Sequence, residues 1–262
     1  MNGIAVAQFA PGPDRDANLA VMRGLAATAA SRGATLVVFP EYSSYFTPTM
    51  GPDWIAAAEA IDGPFATGLA AIAAAEGLTV VAGMLESAGA KAHNTVLALS
   101  PEGERLAVYR KLHLYDAFGA NESQWIEAGE FAVETFAWAG FTVGLQTCYD
   151  IRFPEVTRAL VDAGADLVVV PAEWVRGPLK EQHWRTLLTA RAIENTIYLA
   201  AADHAPPIGA GNSMVLDPMG VELVTIGEST DVAVAFVSPQ RIDDVRTVNP
   251  ALRLRRFGIH AL

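Results

Sequence analysis

The sequence predicts an α/β protein with mixed β-sheets covered by helices, two of the sheets packed face to face. Three observations carry this expectation. Strand-like and helix-like segments alternate through the first third of the chain, and consecutive strands joined by hairpin signals follow. The run Ala165–Val170 is continuously apolar, as in a strand buried on both faces of a parallel sheet.

In order, Ile4–Phe9 reads as a strand and about Pro13–Arg32 as a helix, with Gly33 placed to end it. Strand Thr35–Phe39 runs into Pro40-Glu41-Tyr42. The stretch Ser43–Asp53, rich in Ser, Thr, Pro and Gly, reads as a loop that could form a pocket mouth or lid. Helix Pro64–Glu76 precedes strand Leu78–Met84. Strands His93–Leu99 and Arg105–Tyr109 are joined by the hairpin signal Ser100-Pro101-Glu102-Gly103-Glu104. A further hairpin, Phe131–Trp138 and Phe141–Gln146, turns at Ala139-Gly140. After Ala165–Val170 come helix Leu179–Asn195, strand Ile197–Ala202, and the segments Gly209–Leu216 and Val221–Ile226 flanking Asp217-Pro218-Met219-Gly220. Asp231–Val237 is the last strand, Pro239–Val245 a short helix, and the tail is basic. No low-complexity linker or internal repeat divides the chain, so residues 1–262 read as one domain.

Composition narrows the function. A hydrophobic content of 52% marks a globular chain able to bury a sizeable core. The net charge of −11 argues against a nucleic-acid partner and against a polybasic membrane surface. No run approaches the roughly 18 apolar residues of a membrane span. The N-terminal segment lacks a basic flank and reads as a strand rather than a signal peptide. A single cysteine allows no internal disulfide, which suits a reducing cytoplasm.

That cysteine, Cys148, follows the apolar strand and precedes Pro154, Glu155 and an apolar-periodic run, a strand–turn–helix signal. A thiol on such a turn is expected to lie near free backbone N–H groups and the positive end of a helix, both favouring thiolate. Acidic or basic side chains stand at further strand ends: Glu41, Lys111 and Glu173. With Glu122 they supply a nucleophile, a base to move its proton and a cation for a developing oxyanion, the parts that thiol-based amide hydrolysis needs. The histidines show no metal-ligand spacing, and His113 is the nearest candidate for a Cys–His dyad. Arg191 and Glu194 read as a structural pair on one helix.

Phe39-Pro40-Glu41, Arg110-Lys111-Leu112-His113-Leu114 and Cys148-Tyr149-Asp150-Ile151-Arg152-Phe153-Pro154-Glu155 resemble, in order and spacing, the three signature segments of the nitrilase superfamily, the carbon–nitrogen hydrolases. The resemblance continues through His183–Leu188, Arg191–Asn195 and Ser213–Pro218. It implies a four-layer αββα sandwich, usually a homodimer or higher homo-oligomer, with no metal or organic cofactor. It also implies a Glu41–Lys111–Cys148 triad. Cys148 would attack the amide carbon, Glu41 would act as base and acid, and Lys111 with the backbone N–H of Tyr149 would hold the oxyanion. Glu122 matches a second glutamate beside the lysine. Tyr149-Asp150 after the cysteine is similar to the amidase branches, and the surrounding segments look most like ω-amidases and deaminated-glutathione amidases.

The resemblance thus implies a thiol amidohydrolase cleaving the amide of a small carboxylate-containing substrate through a thioester. Tyr42, Glu173, Trp174 and Arg176 are the expected substrate contacts, with Arg176 or, second, Arg152 meeting the carboxylate. Glu173 stands where many amidase relatives have a small residue. It could repel an anion, recruit a cation or pair with Arg176. An N-carbamoyl amino acid or N-carbamoylputrescine amidohydrolase using the same triad is therefore the alternative enzyme. A non-catalytic binding protein on the same fold is the alternative of another class.

Overall fold

The computed structural model describes residues 1–260. The chain opens with β1 (Asn2–Gln8), α1 (Arg15–Ser31) and β2 (Ala34–Val38). Asp14 caps α1, its carboxylate accepting from the backbone N–H groups of Asp16 at 2.9 Å and Ala17 at 3.0 Å. There follow α2 (Pro52–Ala57), α3 (Pro64–Glu76) and the strands β3 (Thr79–Ala88), β4 (Lys91–Leu99) and β5 (Arg105–Arg110). The second half contains β6 (Thr135–Trp138), β7 (Phe141–Leu145), α4 (Pro154–Asp162), β8 (Leu167–Pro171) and α5 (Lys180–Asn195). It closes with β9 (Tyr198–Ala202), β10 (Met214–Leu216), β11 (Glu222–Thr225), β12 (Asp231–Val237) and α6 (Pro239–Val248).

The strands form two six-stranded mixed sheets, ordered β12-β1-β2-β3-β4-β5 and β11-β10-β9-β8-β7-β6. In each, two parallel contacts lie at the centre (β1 to β3, β7 to β9) and antiparallel strands extend the edges. Alternation along the strands assigns each face. Ile4, Val6, Leu36 and Val38 of the first sheet pack against Val143, Leu145, Val169 and Ala200 of the second. The opposite face of the first sheet, including Ala5, Ala7 and Val37, is covered by Leu19, Met22 and Ala26 of α1 and Phe65 and Leu69 of α3. Val168, Val170 and Leu199 on the outer face of the second are covered by Leu160 of α4 and Trp184 and Leu188 of α5. This is the expected αββα layering.

Several boundaries differ from the expectation. Pro52 and Asp53 do not end a loop but begin α2, because proline suits a first helical turn and its Trp54 is buried against Tyr42. The strand expected from Phe131 begins only at Thr135, since Phe131 is exposed and has no sheet partner there. Residues 209–213, expected as strand, lie outside β10. There the segment is hydrogen-bonded to the other sheet instead: Ser213 N–H and Oγ donate to Gln8 Oε1 at 3.1 and 2.7 Å.

Candidate active site

The carboxyl ends of the central parallel strands of both sheets open into one cavity of about 370 Å³. Glu41 follows β2. Its segment stays hydrogen-bonded to β3 after the strand ends, with Gly83 N–H donating to Pro40 O at 3.0 Å and Ser43 N–H to Gly83 O at 2.9 Å. Tyr42 then turns with φ 53°, a conformation held by this close packing. Lys111 stands one residue past β5 and is tied to β4 by its N–H to Asn94 O at 2.9 Å. Glu122 begins a short 3₁₀ turn, Glu122–Gln124.

These three side chains are buried and in contact. Lys111 Nζ donates to Glu41 Oε1 at 2.9 Å and to Glu122 Oε2 at 2.9 Å. Asn94 Nδ2 bridges the same two carboxylates, at 2.6 Å to Glu41 Oε1 and 3.1 Å to Glu122 Oε1. Glu122 also accepts from Tyr42 OH and from Tyr115 N–H, each at 2.5 Å. Burial opposes the charge on Lys111, but the carboxylates of Glu122 and Glu41 outweigh it and hold the ammonium well above the ordinary lysine range. Glu122 is thus saturated with donors. Glu41 Oε2 accepts only the Glu173 N–H, at 2.6 Å, and keeps acceptor capacity.

Cys148 begins a 3₁₀ turn, Cys148–Arg152, directly after β7, with φ 44°. Buried Asp150 anchors that turn: it accepts from Thr147 N–H at 3.2 Å and Tyr109 OH at 2.6 Å through Oδ2, and from His113 N–H at 3.1 Å through Oδ1. Cys148 Sγ lies 3.4 Å from Glu173 O. The expected preference for thiolate does not hold in this arrangement. Burial pushes the thiol well above its ordinary value and the neighbouring Glu41 carboxylate adds to this, while Lys111 opposes it. The thiol is therefore neutral until a base takes its proton. His113 forms no dyad with it, because its Nδ1 pairs with Asp150 Oδ1 at 2.9 Å and its ring stacks on Phe153.

The structure brings Tyr42, Glu173 and Trp174 to the cavity wall with the four charged or nucleophilic residues, together with Tyr149. Burial first, and the Glu41 carboxylate second, push the Glu173 carboxyl well above its ordinary range. Its charge is thereby disfavoured, which weakens both its repulsion of an anion and its attraction for a cation. Arg176 is a correction. It stands away from the cavity at the surface, where Nη2 pairs with Glu228 at 2.8 Å and Nε with Glu181 at 3.5 Å, and it does not meet Glu173. Arg152 is not on the wall either; it stacks on Trp174. Arg191 and Glu194 do pair, at 2.9 Å.

Three contributors were missed from the sequence. Asn94 looks there like any polar residue in an alternating strand. His204 donates from Nε2 to the carbonyl of Glu41 at 2.6 Å, across sheets. Lys180 lines the cavity from the start of α5. None of these carries a local motif. Among the described residues, no group of three or more His, Cys, Asp or Glu side chains is placed to hold a metal ion.

A family model described as carbon–nitrogen hydrolase matches residues 3–247. The chain is 37% identical over 256 residues to a deaminated glutathione amidase of Escherichia coli O157:H7, covering 97% of each chain. It is 30% identical over 274 residues to an omega-amidase of Mus musculus, covering 99% of this chain and 96% of that one. Among solved structures, a point mutant of the amidase from Nesterenkonia sp. AN1, seen after Michael addition of acrylamide at its active-site cysteine, superposes with a TM-score of 0.82 and 30% identity, covering 97% of this chain and 100% of that one. With the three motifs converging on one buried cavity, the chain belongs to the carbon–nitrogen hydrolase family.

Proposed function

We propose that this protein is a thiol amidase that hydrolyses a small linear amide whose acyl part bears a carboxylate. The observation that carries the reading is the placement of Lys111 between Glu41 and Glu122, with the Cys148 thiol in the same cavity.

Glu41 takes the Sγ proton as Cys148 attacks the carbonyl carbon. Its remaining acceptor capacity and its place in the same cavity as the thiol support this role. The oxyanion is held by Lys111 Nζ and by the backbone N–H of Tyr149, which stands in the first turn of its 3₁₀ segment, where no earlier turn residue accepts from it. Glu41 then delivers the proton to the departing nitrogen, the C–N bond breaks, and a thioester remains on Cys148. Glu41 next deprotonates a water that attacks the thioester. The carboxylic acid leaves and the thiolate recovers a proton. Glu122 moves no proton in this cycle, because its lone pairs are already taken by Lys111, Asn94, Tyr42 and Tyr115. It fixes the lysine and balances its charge.

Burial and the Glu41 carboxylate disfavour the charge on Glu173 and so weaken its attraction for a cationic substrate, which favours the amide reading over N-carbamoylputrescine. The test is product formation across deaminated glutathione, α-ketoglutaramate, succinamate, an N-carbamoyl amino acid, N-carbamoylputrescine and a simple nitrile, with Cys148→Ala as the blank. Cys148-dependent turnover confined to the carboxylate amides is the expected result. Turnover of a carbamoyl compound instead would replace the substrate class and keep the triad. Tight binding without turnover of any of them would make the chain a binding protein.

A further inference from the structure

Both expected cations for the substrate carboxylate, Arg176 and Arg152, lie off the cavity wall, yet a third lies on it. Lys180 is 8% exposed and lines the same cavity as Cys148. Its ammonium donates to Tyr115 OH at 2.6 Å. Its other close surroundings are aromatic faces, with Nζ 4.1 Å from the centroid of Phe118 and 5.5 Å from that of Trp174. Among the described residues no carboxylate lies within the 4.0 Å of an ion pair. An ammonium has three donors, so two remain for a ligand. A nearly buried cation without an anion is costly, and bringing one to it relieves that cost.

Arg152 strengthens the same wall. Its guanidinium lies over Trp174 at 4.9 Å and Phe118 at 5.4 Å, the two rings that also flank Lys180, and it too pairs with no carboxylate among the described residues. Burial, and next the charge of Arg152, hold the Lys180 ammonium below the ordinary lysine range, the direction expected of a cation awaiting a counter-ion. Among the acids deeper in the cavity, Lys111 matches Glu41 and Glu122, and Glu173, whose charge burial disfavours, lies outside ion-pair distance of Lys180. The cavity therefore presents a reacting end at Cys148 and a cationic end at Lys180.

We propose that Lys180, backed by Arg152, receives the substrate's carboxylate and sets the preference for acidic amides, an inference that rests on the amidase reading above. Cation–π contact alone would leave both remaining donors unused.

The test compares kcat/KM for succinamate with that for its neutral methyl ester in wild type, Lys180→Met and Lys180→Arg. The expected result is a preference for succinamate that falls about 10- to 150-fold in Lys180→Met, the worth of a hydrogen bond to a charged group, and is largely kept in Lys180→Arg. A preference unchanged in Lys180→Met overturns the assignment. A second readout needs no turnover: succinate should slow Cys148 alkylation by iodoacetamide in wild type but not in Lys180→Met, and equal protection in both also overturns it. Absence of any wild-type preference for succinamate counts against the substrate reading, whereas the protection experiment judges Lys180 on its own.

Discussion

Gly83 lies directly against Glu41: a Cβ added at Gly83 would stand 2.5 Å from Glu41 Cα and 2.7 Å from Tyr42 N. The central strand β3 thus has no side chain where the base-bearing turn crosses it. That absence lets Pro40 and Ser43 keep their backbone hydrogen bonds to Gly83 while Glu41 reaches Lys111. Gly83→Ala should shift the turn, lowering kcat/KM at least tenfold and stability by about 1–3 kcal/mol, the usual range for overpacking. Kinetics alongside thermal melting check this; full activity would mean that the turn can move without displacing the carboxylate.

Cys148→Ala should abolish turnover and leave the fold intact. Sγ contributes one long contact, to Glu173 O at 3.4 Å, and the turn is held by Asp150 and Thr147 rather than by the thiol. The melting temperature should change by little, on the scale of a small buried group, about 1 kcal/mol. A variant that unfolds would make the cysteine structural.

Lys111→Met should do two things at once. It removes the cation from the oxyanion position, and it strands two buried carboxylates, which costs about 3–5 kcal/mol. The double variant Lys111→Met/Glu122→Gln should recover part of the stability, since only Glu41 is then left unpaired, and none of the turnover. Turnover at the wild-type rate in Lys111→Met would remove the lysine from the chemistry.

The Cys148 thiol should titrate well above the ordinary thiol range in the free protein, because burial and the Glu41 carboxylate both disfavour the thiolate. Glu41→Gln removes the second influence, so its thiolate should form at lower pH although turnover is lost. Ultraviolet thiolate absorbance against pH, with Cys148→Ala as reference, reads both midpoints. A lower midpoint in wild type than in Glu41→Gln would contradict the charge arrangement.

His204 supplies a pH dependence of stability. Burial lowers its pKa from 6.5 to about 4, partly offset by its bond to the Glu41 carbonyl. Between those values the unfolded chain binds a proton that the folded chain refuses. Stability from this group is therefore complete above pH 6.5 and declines as pH falls toward about 4, by on the order of 3 kcal/mol. His204→Gln should flatten this part of the stability profile relative to wild type in denaturant titrations. Parallel profiles would exclude His204 as the source.

The sequence by itself determined the layer class and most of the catalytic set. Apolar runs and hairpin turns place most of residues 93–109 and 131–146 in sheets, and apolar spacing places α5, because these patterns are local properties of the chain. Glu41, Lys111 and Cys148 were legible because each closes a strand inside a recognisable motif. The tertiary structure alone decided the rest. Arg176 and Lys180 are four residues apart, one in the irregular segment leading into α5 and the other at its first residue, and no periodicity there tells which faces solvent. Only the docking of that segment sends Arg176 to surface acids and Lys180 into the cavity. The protonation of Cys148 followed the same rule. The local turn favours thiolate, but burial and a carboxylate brought from the other sheet reverse the direction. Asn94, Gly83 and His204 act through contacts 42 to 163 residues distant from or across strands to Glu41. The first two exist only once β2, β3 and β4 have paired and the third only once the two sheets have packed, since charge, desolvation and close approach depend on distance in space and not on position in the chain.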